Sequence, residues 1–430
     1  MWGYWIFIVF EAIAVHLLLP VGELAMSDSF YVALICINTV ILIFVLSNRY
    51  GHDGNFLVLI TGALLFRIAL MFWSEYFSHI FTLPNSGADE MTYYYNAMSN
   101  LVKDKMFTGY AQFFAWQAKI FGLSKIYGKF INVLFSISAI LILRNTLFEL
   151  KSDYRVSIKT LTFACFLPNF AILSALLLRE SVIILLVSIS VNYLVRWWKH
   201  NGIKELAVAL AATAVAAWFH SGMIAYSLGL LSLVVASRYT PSGRTFSLPS
   251  FRTIVLTVST TAVVLMVLMN LNLGLTNYFR GADSLTDIVS IADAYEEGGS
   301  AYNANIVSND TTLGFIINTP VRMFFFMFAP VPWNWRSATD AIAFLFSGLF
   351  YGYVFFTTVP YVFKRKRLPA ASGLFLIALL VLMMFGWGVS NSGTALRHRD
   401  KMVIHYLLMY AMISNEKLRE KLEEGYVNAI

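Results

Sequence analysis

The chain has 430 residues, of which 58% are hydrophobic and only 13% charged. A soluble domain carries about twice that charged share, so an ordinary water-soluble enzyme is excluded as a description of the whole chain. The formal net charge of +7 does not point to a nucleic-acid partner, because the basic residues sit between apolar blocks and read as topology signals.

The apolar blocks run about 16–22 residues, long enough for a hydrocarbon core of about 30 Å, and most lack a polar face. In chain order the expected spans are Trp2–Leu19, Phe30–Ser47, Phe56–Trp73, Ile126–Leu143, Leu161–Leu178 and Val182–Trp197, then Leu206–Phe219, Met223–Ala236, Thr253–Leu273, Ala341–Thr358, Leu374–Val389 and Met402–Ser414. The first has no basic n-region or cleavage site and is expected to be retained. Its Glu11 and His16 should face protein or an aqueous cavity. Phe107–Phe121 is aromatic-rich and can lie in the interface or dip into the membrane. Phe315–Val331 holds Pro320 and Pro330 and reads as a broken or re-entrant helix. Cys36 and Cys165 fall inside apolar blocks with no metal-ligand spacing. The expected fold is an all-α polytopic transmembrane bundle of about 12–14 helices, one membrane domain over 1–430 with long extracytoplasmic loops.

The basic clusters orient the spans. Arg49, Arg144 to Lys159, Arg196 to Lys204, Arg238 to Arg252, the run Lys364–Arg367 and Lys417 to Lys421 all fall on the cytoplasmic side under strict alternation, with both termini, provided Phe315–Val331 does not cross. The opposite face then receives the loop 75–125, the turn at Arg179-Glu180, the turn at His220-Ser221-Gly222, the acidic loop 272–312, the Trp333–Arg336 turn, and Asn391–Lys401.

Four of these segments carry chemistry. In GADEMTYYYNAM, 87–98, Asp89 and Glu90 can supply a general base, hold a sugar hydroxyl or bind a divalent cation, or be a solvated surface. Tyr93 and Tyr94 can stack on a sugar face. Arg179 and Glu180 sit in a turn too short for an ordinary loop, as a phosphate site or a charged hairpin cap. His220 can donate to a sugar or phosphate, or simply end a helix. Arg397, His398, Arg399 and Lys401 oppose the positive-inside trend, and Arg pairs clamp phosphate bidentately. A carboxylate to deprotonate an acceptor hydroxyl and guanidinium groups to stabilise a departing phosphate suit a reaction on a lipid-linked phosphate.

These motifs resemble the polytopic glycosyltransferases of the GT-C superfamily, especially the exopolysaccharide and O-antigen polymerases of the Wzy or EpsG type. GADEMTYYY resembles their acidic first outer loop, PNFAILSALLLRESVIILL (168–186) their Pro-then-Arg hairpin, AAWFHSGMIAY (216–226) their Phe-His-Ser helix start, and ALRHRDKM (395–402) their Arg-rich segment before a late helix. The resemblance covers about 85 to 405. It departs in Glu180, where the exopolysaccharide group commonly has Gln, and in the three spans before the acidic loop.

The resemblance implies a bacterial plasma-membrane enzyme that uses an undecaprenyl-linked oligosaccharide at an extracytoplasmic site, with a chain-length regulator or flippase as partners. Asp89 is then the expected base or acceptor-orienting carboxylate, with Glu90 as its substitute. Arg179, Arg397 and Arg399 hold the donor phosphates, His220, His398 and Glu180 orient them, and the loop 272–312 closes over the site. A single-sugar transferase with a polyprenyl-monophosphate donor is the nearest alternative. A lipid-linked oligosaccharide flippase or secondary transporter is the alternative of another class.

Overall fold

The computed structural model describes residues 2–18, 28–103, 109–236, 238–240, 243–245, 289, 301–309, 311–363 and 369–427. The expected span Thr253–Leu273, the Lys364–Arg367 run and the acidic residues of the 272–312 loop lie outside them. Helices dominate, with one two-stranded antiparallel ribbon pairing Arg238–Thr240 with Gly243–Thr245.

Among the described residues, five helices are long and apolar enough to cross a membrane: Asp28–Tyr50, Gly54–Tyr76, Lys125–Glu149, Glu180–His200 and Ala338–Tyr361. Gly3–Leu17, Ser221–Val234, Leu313–Phe328 and Gly373–Gly388 are apolar but shorter. One of the expected spans is not a straight helix. Leu161–Leu178, read as one span, consists of the helices Tyr154–Phe166 and Pro168–Ser174, bent by 53°. The physical reason is Pro168, which has no N–H to continue the first helix and is well suited to start the second. Arg67, fully buried, meets the carbonyls at that bend. Its Nη1 donates to Cys165 O at 2.7 Å and its Nη2 to Ala164 O at 3.2 Å, with the guanidinium over the Phe170 ring. An arginine inside an apolar helix is thus matched to the backbone groups that the bend leaves unsatisfied.

Two ambiguous stretches take definite form. Phe107–Phe121 is the helix Gly109–Phe121, thirteen residues and too short to span. Phe315–Val331 is one unbroken helix, Thr312–Phe328, with Pro320 inside it. The expected break at Pro320 is absent, and the neighbouring Thr319 hydroxyl donates to Phe315 O at 2.8 Å. The chain leaves the helix at Ala329 and enters a short turn at Pro332–Asn334.

The single domain expected from the sequence divides into two compact units, one of 1–142 with 161–185 and one of 143–160 with 186–430. In the first unit, Val40, Phe44 and Val58 are 66%, 65% and 73% exposed, an apolar exterior that water does not favour. The apolar window of Lys125–Glu149 is by contrast 89% buried. Glu11 accepts from Asn38 Nδ2 at 2.7 and 2.9 Å and from the Tyr127 hydroxyl at 3.3 Å, so this carboxylate is hydrogen-bonded within the unit.

Candidate functional site

Two clusters hold the sequence-derived residues, one in each unit. In the first unit the acidic motif forms a helix, Ala88–Lys103, with Asp89 and Glu90 in its first turn. Carboxylates are favoured there by the helix dipole. The turn begins at Gly87, whose φ of 115° is a left-handed conformation that suits glycine. The two acids part company. Asp89 is exposed, whereas Glu90 is buried.

Glu90 Oε1 pairs with Lys129 Nζ at 3.3 Å and accepts from Leu177 N at 2.8 Å, and its Oε2 accepts from Gly87 N at 3.4 Å. Lys129, 0% exposed, also donates to Ser74 Oγ at 2.8 Å and pairs with Glu75 at 2.9 Å. Glu75 in turn pairs with Lys125 at 3.3 Å. The expectation that Glu90 substitutes for Asp89 is corrected by this bonding, because Glu90 is the centre of a buried ion network. A divalent cation shared by Asp89 and Glu90 does not fit either, since it would meet the Lys129 ammonium. Among the described residues no group of three or more His, Cys, Asp and Glu is placed to hold a metal.

Leu177 belongs to a buried, non-helical stretch between Ser174 and Glu180. Its backbone is served by side chains, as buried irregular backbone must be. Asn132 Nδ2 lies 2.7 Å from Leu176 O, 2.8 Å from Leu178 O and 2.8 Å from the Tyr110 hydroxyl. Tyr93 packs edge-on against Tyr110 at 4.9 Å, while Tyr94 lies 6.4 Å from Phe114. Burial, opposed in part by the Asn132 hydrogen bond and reinforced by Tyr93, Glu180 and Glu90, holds the Tyr110 hydroxyl well above the ordinary phenol range. It stays a neutral phenol, accepting from Asn132. Arg179 is half-buried just past this stretch and Glu180, fully buried, opens the helix Glu180–His200. The structure thus brings Glu90, Tyr93 and the approach to Arg179 together around Asn132 and Lys129. Neither Asn132 nor Lys129 is among the sequence-derived candidates, although a Lys and an Asn three apart within an apolar helix are the signal that could have found them.

The second unit holds the basic cluster. Its short helix Ser392–Asp400 is N-capped by Asn391, whose Oδ1 accepts from Gly393 N and Thr394 N at 2.9 and 3.2 Å. His220 sits between the helix Ile203–Phe219 and the turn Ser221–Met223 in extended conformation. Its ring lies 4.6 Å from that of His398 and 5.7 Å from Phe385, and His398 lies 5.1 Å from Phe385. Lys401 Nζ, fully buried, is 2.8 Å from His398 Nδ1 and 5.8 Å from the Phe385 centroid. Arg397 is half-buried on the same helix.

Gly222 closes this cluster. A Cβ there would stand 2.8 Å from Phe385 Cε1 and 3.2 Å from His220 Nε2. Gly222→Ala is expected to push both rings aside and lower thermal stability by about 1–3 kcal/mol, read as a drop in the unfolding midpoint of detergent-purified protein.

Arg399 behaves differently from its neighbours. Its Nε donates to Ser347 Oγ at 2.9 Å, its Nη1 to Phe326 O at 2.8 Å and to Met327 O, and its Nη2 to Ala329 O at 3.0 Å. These carbonyls end the helix Thr312–Phe328, and a cation is well placed there. The expected phosphate role of Arg399 is corrected to that of a helix cap. Ser347 lies in a π-helical turn, Phe344–Leu349. There Gly348 packs so close to Phe328 O that a Cβ would stand 2.9 Å from it. Asp400 accepts from the Tyr351 hydroxyl at 2.8 Å and from Ser347 Oγ at 3.4 Å.

The described end of the 272–312 loop is fastened within the same unit. Arg322 donates to Asn305 Oδ1 at 2.6 and 3.0 Å and to Ser390 Oγ at 3.3 Å. Asn318 holds Ile306 N, Val307 O and Asn309 Oδ1, and Tyr302 N donates to Ser390 O at 3.0 Å. Residues 301–309 are thus anchored at several points beside the start of the basic helix, which runs against a freely closing lid over that stretch.

No protein-family model, no curated protein and no solved structure matches the chain. What these clusters do is therefore argued from their own chemistry.

Proposed function

We propose that the chain is a membrane glycosyltransferase that takes its donor from a polyprenyl-(pyro)phosphate-linked sugar on the extracytoplasmic face and joins repeat units of a surface polysaccharide. The observation that carries this reading is the cluster of Arg397, His398 and Lys401 with His220, set among apolar helices. Cationic and imidazole donors gathered in an apolar setting suit an anionic group attached to a lipid. The acid within that segment, Asp400, faces Tyr351 and Ser347.

In the reaction, an acceptor hydroxyl oxygen bonds to the anomeric carbon of the donor. The bond from that carbon to the phosphate oxygen breaks, and the (pyro)phosphate keeps the electron pair. Arg397 neutralises the charge that develops on the phosphate. A general base takes the hydroxyl proton, and Asp89 is the candidate carried over from the sequence. The tyrosines beside it, Tyr93 and Tyr94, are candidates for contact with the acceptor sugar.

The purified chain given a lipid-linked repeat unit is expected to yield longer chains, sized on a gel. Asp89→Asn should remove them while the chain stays folded. Movement of the lipid-linked sugar across a vesicle membrane with no new glycosidic bond would sink the proposal. That outcome is the transporter reading, which the buried, broken hairpin from Pro168 to Glu180 favours, since discontinuous helices build transporter sites.

A further inference from the structure

The pairing of Lys401 with His398 fixes what that histidine can do. An ammonium group has three donors and no acceptor. At 2.8 Å from Nδ1, Lys401 donates into the ring, so Nδ1 must present its lone pair. The proton of the neutral imidazole then resides on Nε2. Lys401 also lies 5.8 Å from the Phe385 centroid, where the ring face favours the charged form of the lysine.

We propose that Lys401 is a positioning residue that locks His398 as a neutral Nε2–H donor, and that this N–H serves an oxygen of the donor phosphate. The second half rests on the glycosyltransferase reading; the first does not. His398 accordingly cannot serve as the base for an acceptor hydroxyl, because one nitrogen is occupied by the lysine and the other already carries hydrogen. It donates a hydrogen bond that strengthens as charge collects on the departing phosphate, and no proton changes hands.

The surroundings agree in sign. His220 faces His398 from the end of the helix Ile203–Phe219. Phe385, from the helix Pro369–Gly388, brings no charge. Arg397 and Lys401 flank it on its own segment, and the Asp400 carboxylate accepts from Tyr351. A second proton on His398 would be placed beside Lys401, so the imidazolium is disfavoured on electrostatic grounds. That preference is expected to hold from about pH 5 to 8, where a histidine would ordinarily switch.

The test is nitrogen NMR of the full chain labelled at histidine, in lipid nanodiscs, with His398→Gln identifying the His398 signals. The wild-type protein is expected to show Nδ1 unprotonated and Nε2 protonated across that pH range. Lys401→Met should let His398 take up a second proton at mildly acidic pH and raise the acid limb of the transfer-rate profile. Lys401→Arg, which restores a cationic donor, should return both toward wild type.

A wild-type signal with hydrogen on Nδ1, or an imidazolium near neutral pH, overturns the proposal without recourse to any Lys401 variant. So does a Lys401→Met protein whose histidine signals match wild type. If wild-type chain forms no glycosidic bond, the transferase reading and the phosphate contact fail together. The tautomer assignment is still decided by the NMR alone.

Discussion

Arg397→Ala is expected to leave the chain folded and to cut glycosyl transfer about 10²–10³-fold, whereas Arg399→Ala, two residues along the same helix, should unfold it. Arg399 is 1% exposed and bonds through all three nitrogens to Ser347 and to the carbonyls of Phe326, Met327 and Ala329. Truncation strands those acceptors in a buried setting. Each buried group left unmade costs about 1–3 kcal/mol, and several together approach the whole stability of an ordinary domain, about 5–15 kcal/mol. Arg399→Lys should fall between, because a single ammonium cannot fork across the end of a helix.

Arg397 is half-buried on that helix, and its removal opens no such deficit at the end of Thr312–Phe328. Thermal unfolding in detergent and the transfer assay, run on both variants, separate the roles. A stable but inactive Arg399→Ala protein would return that residue to the ligand. A fully active Arg397→Ala protein would remove the central cation from the phosphate argument.

Much of the helical architecture was legible because hydrophobicity alone sets it. The blocks around Phe30–Ser47, Phe56–Trp73 and Val182–Trp197 appear as the membrane-length helices Asp28–Tyr50, Gly54–Tyr76 and Glu180–His200. Hydropathy says little about where a backbone breaks inside an apolar block. Pro168 ends one helix at a bend, while Pro320 lies within a continuous one. At the first, Arg67, distant in sequence, binds the carbonyls at the bend.

The same limit applies to the sites. A dense run such as Arg397-His398-Arg399 announces charge, but residues one or two apart on a helix point in different directions. Arg399 faces the end of another helix, and His398 faces His220 and Phe385. Asp89 and Glu90 divide in the same way. Which neighbour looks outward depends on packing against segments up to 87 positions away, as the contact between Glu90 and Leu177 shows. Lys129 was hidden for the opposite reason. A single cation inside an apolar helix leaves the hydropathy of the block almost unchanged, yet once buried it must be paired.

That cation is the basis of the second large effect. Lys129→Met is expected to destabilise the protein by about 3–5 kcal/mol, the usual cost of removing one partner from a buried ion pair. Glu90, 3% exposed, would keep only the amide hydrogens of Leu177 and Gly87, and Glu75 would retain Lys125. Glu90→Gln alone should cost less, because an amide oxygen can still accept from Leu177 N. The double variant Lys129→Met with Glu90→Gln should recover part of the loss, with a coupling of about 0.5–3 kcal/mol between two residues in contact.

Unfolding midpoints of the four proteins give that coupling directly. Their transfer rates then decide between structure and chemistry for the adjacent acids. If Glu90 holds the acidic helix to the stretch before Arg179, Glu90→Gln loses stability and keeps its rate wherever it is folded, while Asp89→Asn stays folded and loses its rate. A Glu90→Gln protein as stable as wild type but inactive would move the base from Asp89 to Glu90.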